Sequence, residues 1–305
     1  KKALGYDQLF DYDRYAPLPA LAATAIPWDQ CQRMVLGAFS SFSGTLHDIA
    51  QTFFDRGWVH ARLQHGKQGG AFAHPVTPDA HPYLLLNYTG AWRDVETVAH
   101  EMGHGVHQVL AARQGYYGSD TPLVLAETAS VFAELLLFNQ RLRELHDPAQ
   151  RHAFIAGKLE SIFATVFRQT AMNRFEERMH VSRRERGELG VGDFNRHWLE
   201  TQGAMFGDAV TLTEDYGLWW GYIPHFLATP GYVYSYAFGE LLTLSLYGRY
   251  QEEGEAFIGK YLDLLAAGGS QSPGKLLAPL GFDLNDPAFW RRGLAVIDSY
   301  VTMLE

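Results

Sequence analysis

The chain has 305 residues, 47% apolar and only 19% charged, a balance that excludes a disordered polymer and allows a substantial core. Its formal charge of −9 argues against a nucleic-acid binder, because the one basic run, "SRRERGE" at 182–188, reads as the solvated end of a helix. One cysteine, Cys31, cannot close an internal disulfide and reads as a small buried apolar residue, so a reducing, cytoplasmic setting is expected.

No apolar run reaches membrane-spanning length, so no membrane association is expected. No secretory signal is read at the start. The sequence opens "KKALGYDQLF" without an initiator Met, and a processed or truncated piece of a longer protein is expected.

Most of the chain is expected to be helical. Residues 27–59 predict two helices with a break around "SFSGT". The stretch "KQGGAFAHPVTPDAHPYLLLNYTG" (67–90) changes character, with Gly69 and Gly70 ahead of a short β-like run, a Pro/Asp turn, and "YLLLNY" as a second strand. It predicts a small β-ribbon inside a helical protein.

Residues 92–113 predict a strong helix, because Val95, Val98, Ala99, Met102, Val106, Val109 and Leu110 recur at helical spacing. Its expected cap is Thr89 or Gly90. A second apolar helix is expected over 122–141, with Pro122 in its first turn. A long helix should follow from Pro148 to Arg186, with others near 193–211, 234–250 and 253–267. Asp286 before Pro287 marks the start of a closing helix. No linker divides the chain, so residues 1–305 are expected to form a single domain.

Within the 92–113 helix lies "VAHEMGHGVHQ" (98–108). His100 and His104, one helical turn apart, project from one face, and two imidazoles so placed can converge on one metal ion. Glu101 points about 100° around the helix, beside the ion rather than on it. This H-E-x-x-H arrangement suits a metal site whose Glu serves as general base; the bland alternative is a His-rich surface helix. Gly103 and Gly105 weaken the helix unless another backbone or a substrate must pass close.

A catalytic metal needs a third protein ligand and an open position. Glu127, among Leu125, Ala126, Ala129 and Phe132 on the next helix, is the best candidate, since a carboxylate in that company is costly unless paired or metal-bound. Glu134, two turns along, could accept the outer N–H of a ligand histidine. His107 would close the open position if it joined the set, so it is read as a packed or hydrogen-bonded histidine.

Three ordered stretches, "HPYLLLNYTGAWRDVETVAHEMGHGVHQ", "AETASVFAE" and "IPHFLATPGYVYSYAFGELL", resemble the oligoendopeptidase F members of the thimet-oligopeptidase family of zinc metallopeptidases. The closing "YLDLLAAGGSQSP…GFDLNDPAFWRRGLAVI" is similar as well, so the resemblance covers about residues 5–305. It implies a mainly α, zincin-like catalytic domain with a small sheet beside the metal-binding helix. It implies one Zn2+ per chain held by His100, His104 and Glu127, with Glu101 as base. His225 and a tyrosine of "GYVYSY" are implied to stabilise the oxyanion. Matching the following "AFGE" selects Tyr236, while Tyr232 and Tyr234 stay open as catalytic or substrate-binding groups. Gly69, Gly70 and Ala71, at the start of "GGAFAHP", resemble the family's edge strand, which can bind an extended peptide through its main chain.

The activity so implied is internal cleavage of short peptides by zinc-activated water, with Glu101 carrying the proton. The alternatives are a metallocarboxypeptidase of similar fold and a peptide-binding fragment. The departure from the family is length: its members carry a further N-terminal helical half, which this chain lacks and which is a candidate partner.

Overall fold

In a computed structural model, which describes residues 5–16 and 25–304, the chain is mainly helical with one small sheet. Two compact units emerge, one from residues 22–155 and 239–305, the other from residues 1–21 and 156–238. Among the described residues, the divisions at 155/156 and 238/239 both fall inside helices.

The larger unit begins with α1 (Trp28–Phe42) and α2 (Gly44–Asp55), broken at the extended Ser43, within the stretch where a break is expected. Three short strands follow: β1 (Val59–His60), β2 (Phe72–His74) and β3 (Tyr83–Leu85). The expected ribbon is β2 paired antiparallel with β3, Ala73 opposite Leu84. The sequence reading missed β1, which runs parallel to β3 and completes the order β1–β3–β2. Two residues carry too little pattern to be read as a strand. Lys67 pins this corner, donating from Nζ to the carbonyls of His60, Arg62 and Leu86 at 2.9, 3.0 and 2.6 Å.

The metal-motif helix, α3 (Trp92–Ala111), buries Val95, Val98, Ala99, Met102 and Val106 as its periodicity requires. Its N-cap is Ala91, not Thr89 or Gly90. Asp94 folds back to accept from the backbone N–H groups of Thr89 and Ala91 at 2.7 and 3.1 Å, so the capping carboxylate comes from inside the helix. The helix expected over 122–141 is interrupted. A single turn, Leu123–Ala126, stops at Glu127 (φ −81°, ψ 0°), and α4 (Thr128–Glu144) starts beyond it.

The two glycines of α3 have separate packing reasons. A Cβ on Gly103 would lie 2.5 Å from the Ala129 carbonyl oxygen and 2.6 Å from the Ser130 Cα, so α3 and α4 meet backbone to backbone there. A Cβ on Gly105 would lie 2.8 Å from Phe53 of α2 and 3.0 Å from Leu84 of β3.

The next helix, α5 (Pro148–Ile162), runs through a π-helical turn at Phe163–Phe167 into α6 (Arg168–Arg186). This one long run was legible, apart from its π turn. In the smaller unit α6 packs on α7 (Val191–Phe206), which ends before the expected residue 211 at Gly207 with φ +56°. The core there is aromatic, built from Phe175, Trp198, Tyr216 and Phe226 with Met172, Ile223 and Val233.

Then come α8 (Tyr234–Glu253), α9 (Glu255–Ala266) and α10 (Pro287–Thr302), the last capped by Asp286, which accepts from Ala288 N–H at 2.9 Å as the sequence predicts.

Replacing Gly103 by Ala forces α3 and α4 apart. We expect it to cost near the top of the usual overpacking range of about 1–3 kcal/mol. Gly157→Ala on α5, where a Cβ meets nothing within 4 Å, should instead gain up to about 1 kcal/mol in a paired denaturant titration. Equal behaviour of the two variants would refute the close approach.

Candidate metal centre

The contact at Gly103 sets what lies across it. His100 and His104 project from α3 with ring centroids 4.8 Å apart, and the break before α4 presents Glu127 to both. Glu127 Oε2 is 3.4 Å from His100 Nε2 and 3.4 Å from His104 Nε2. The three ligand-capable atoms all lie within 4.8 Å of one another. A tetrahedral ion with bonds of about 2.0–2.1 Å places its ligand atoms about 3.3–3.4 Å apart, so the two His–Glu edges fit such an ion. Two imidazole nitrogens and one carboxylate oxygen are also a donor set that zinc accepts.

Further groups hold this set. Glu134 Oε1 pairs with His100 Nδ1 at 2.6 Å, the arrangement expected from its position on α4, which leaves Nε2 facing the cluster. Ser130, which the sequence reading missed, donates to Glu127 Oε2 at 2.7 Å. The signal was present, a hydroxyl one turn beyond Glu127, but it becomes meaningful only once the helix is known to start at Thr128. Tyr261 of α9 donates to the Thr128 carbonyl at 3.0 Å and ties down that start.

The charges sort by environment. Burial would raise the Glu127 pKa, but His104, by hydrogen bond and charge, with His100 and Ser130, outweighs it and holds the group ionised, down at about 2. Glu101 is buried, and burial pushes its carboxyl up against the pull of His100 and His104. Burial would lower His100, yet the bond to Glu134 and the charges of Glu134, Glu127 and Glu101 hold its proton up to about 9. His107 is buried, as expected, with Nε2 3.5 Å from Thr121 Oγ1, and burial brings it down to about 4, so it is neutral.

Gly69, Gly70 and Ala71 lead directly into β2, which lies at an edge of the sheet. Gly70 has φ +85°, and Asn87 Nδ2 donates to the carbonyls of Gln68 and Gly70 at 2.9 and 3.3 Å, fixing the approach to the strand.

The smaller unit gathers the other predicted residues. His225 opens a one-turn helix and its Nε2 is 3.3 Å from the Tyr236 hydroxyl. Tyr232 stacks on His225 at 5.8 Å and meets Tyr236 edge-on at 5.2 Å. Tyr234, the first residue of α8, is exposed. The segment between is anchored at Gly231 (φ +78°), whose N–H donates to the buried Glu176 carboxylate at 2.6 Å.

A model of peptidase family M3 matches residues 42–296. The chain belongs to peptidase family M3. Among curated relatives, oligopeptidase PepF of Bacillus subtilis (strain 168) is 30% identical over 288 residues, covering 94% of this chain and 43% of its own length. Chromosomal oligoendopeptidase F of Lactococcus lactis subsp. cremoris is 28% identical over 307 residues, covering 100% of this chain and 50% of its own. This M3 chain thus spans about half the length of the curated relatives it matches. Among solved structures, a Chlamydophila abortus protein superposes with a TM-score of 0.90 at 27% identity, covering 99% of this chain and 51% of that one. Oligoendopeptidase-F of Enterococcus faecium does so at 0.70 and 22%, covering 100% and 48%, a likeness of fold. The mainly α, zincin-like architecture is that of these M3 structures. No described helix is long and apolar enough to cross a membrane.

Metal binding should release a proton. At pH 7 His100 in the metal-free protein is protonated, with its pKa raised to about 9, and a ligand imidazole must be neutral. Raising the pH removes the competing proton, so apparent zinc affinity should climb about tenfold per pH unit from 7 towards 9 and then flatten. By the same linkage, the stability that His100 lends the metal-free fold is complete below its unfolded pKa of about 6.5 and lost as pH rises through about 9. Calorimetric titration in buffers of different ionisation enthalpy measures the release; no proton released at pH 7 would contradict the assignment.

Proposed function

We propose that this chain carries the catalytic machinery of a zinc-dependent endopeptidase that hydrolyses internal bonds of short peptides. The observation that carries the reading is the convergence of His100, His104 and Glu127, with carboxylate-to-imidazole distances of 3.4 Å, beside the buried Glu101. Membership of family M3 supports it, and the names of the B. subtilis and L. lactis relatives point the same way.

His100, His104 and Glu127 would hold one zinc ion, which would supply Lewis acidity towards a water and a peptide carbonyl. Glu127 stays ionised and accepts from Ser130, while Glu134 fixes the His100 ring. Glu101 takes the proton of the attacking water and passes it to the leaving amine. Burial raises its pKa above the ordinary carboxylate value, the direction that makes it a better proton acceptor. His225 and Tyr236 are assigned to the developing oxyanion. Tyr236 is preferred over Tyr232 and Tyr234 because its hydroxyl is the one placed against His225. Gly69, Gly70 and Ala71 lead a peptide backbone towards the β2 edge. The single-domain reading of residues 1–305 rests on the family match running unbroken over 42–296. A cytoplasmic location and a helical N-terminal half as partner belong to the same proposal.

An end-blocked short peptide, analysed by mass spectrometry with and without chelator and added zinc, tests the reaction. Internal cleavage that chelator abolishes and zinc restores is expected. Cleavage confined to peptides with a free C-terminal carboxylate would favour a carboxypeptidase. Glu101→Gln should keep its zinc and lose about 100-fold or more in kcat; near-normal turnover would remove Glu101 from its role.

Tyr236→Phe should lower kcat by about 100-fold or more with KM little changed, as for a lost oxyanion donor. The same pattern from Tyr232→Phe or Tyr234→Phe, with Tyr236→Phe silent, would reassign the group.

A further inference from the structure

Beside the C-terminal half of α3 lies a cavity of about 760 Å3, within the range of pockets that take small ligands, about 300–1,000 Å3. It adjoins the metal cluster: His104 lines it, and so does Ala126, the residue before Glu127. It also adjoins β2, because Gln108, another lining residue, donates from Nε2 to the Ala73 carbonyl of that edge strand at 3.2 Å. A peptide laid along β2 would therefore lie close to the cavity.

The walls have a distinct chemistry. The turn after β2 contributes Pro75, Val76, Pro78 and Pro82, and Trp58 stacks flat on His81 at 4.0 Å to give an aromatic panel. Tyr116 and Tyr117, 66% and 95% exposed, line it as well. Among the lining residues there is no Lys or Arg, and Asp120 is the one carboxylate. An acidic side chain entering here would lose hydration and meet no lysine or arginine.

Val76 adds an independent pointer. Its φ of +61° makes it the one non-glycine in the left-handed region among the described residues, and a β-branched side chain is strained there. Its N–H donates to His74 Nδ1 at 3.0 Å, which holds the strained turn against the strand. Strain of this kind collects where a wall must be placed for a ligand.

We propose that this cavity is a side-chain subsite for a bulky apolar or aromatic residue of a peptide laid along β2, and that it turns away acidic residues. The proposal rests on the peptidase reading. Its test uses zinc-loaded protein and a panel of end-blocked peptides in which Phe, Leu, Ala or Asp is moved through each position around the cleaved bond. At one fixed position Phe should exceed Asp in kcat/KM by about tenfold or more. Ala112→Trp, which fills the cavity, should bring the Phe peptide down to the Ala peptide. Melting temperature and zinc stoichiometry establish that the variant is folded. Tyr117→Ala, a change at an exposed lining side chain, should narrow the Phe–Asp gap independently. Equal rates for Phe and Asp at every position, or a preference that both variants leave intact, would overturn the subsite. If the wild type cleaves nothing, the peptidase reading fails separately, and calorimetric titration of the same peptides decides the cavity. Tighter binding of Phe over Asp peptides that Ala112→Trp removes would sustain it, and flat binding would end it.

Discussion

The site depends on one backbone approach, α3 at Gly103 against α4 at Ala129 and Ser130. With a hypothetical Cβ only 2.5 Å from the Ala129 oxygen, the two helices meet closer than any side chain allows. His100 and His104 flank that contact on one helix, and Glu127, Ser130 and Glu134 flank it on the other. The 3.4 Å edges between imidazole and carboxylate follow from the contact. Separating the helices by even one methyl group would lengthen every edge at once. The second glycine serves the same end from behind: Gly105 lets α3 sink onto Phe53 and Leu84, which holds it against α2 and β3 while α4 presses from the other direction.

Electrostatics then divides labour among carboxylates of the same kind. Glu127 faces two imidazoles and a hydroxyl, and is held ionised. Glu101, on the same helix as the histidines but turned into the interior, is pushed the other way by burial. Neighbouring carboxyl groups with opposing shifts are what a site needs if one is to hold charge permanently and the other to move a proton. Glu134 does neither; it spends its charge on His100 and fixes the ring. In the metal-free state the proton on His100 offsets part of this negative charge. The cluster thus suits either a proton or a metal ion as its cation.

Much of this was legible in the residues. The gathering of His100, His104, Glu127 and Glu134 follows from helical spacing and from the cost of an unpaired carboxylate among Leu125, Ala129 and Phe132. The helices follow from apolar periodicity, and the Asp286 cap from its Pro287 neighbour. What stayed hidden was tertiary in origin. β1 is two residues long and exists because β3 and Lys67 hold it. The Asp94 cap reads as an ordinary first-turn acid until the chain before α3 is seen to turn back over it. The left-handed Val76 runs against its own residue type, so no local pattern could announce it.

The break at Glu127 shows how far such hidden contacts reach. "PLVLAETASVFAELLLFNQR" carries no glycine or second proline after Pro122 and is rich in Leu, Ala and Glu, so an uninterrupted helix is what the residues alone suggest. The interruption forgoes local helical hydrogen bonding, so something outside the segment must supply the difference. Two contacts do so. Tyr261 donates to the Thr128 carbonyl while its ring stacks on Phe132 at 4.4 Å. Gly239 of α8, whose missing Cβ would sit 3.3 Å from the Glu127 Cβ, leaves room for the displaced residue. The consequence is chemical. At the start of α4 the carboxylate lies where the helix dipole favours negative charge, with Ser130 one turn on to hold it. An uninterrupted helix would keep Glu127 in a mid-helix position, where neither the dipole of a helix start nor that placement of Ser130 is available. The residues single out Glu127, and the contacts of Tyr261 and Gly239 set its carboxylate against His100 and His104.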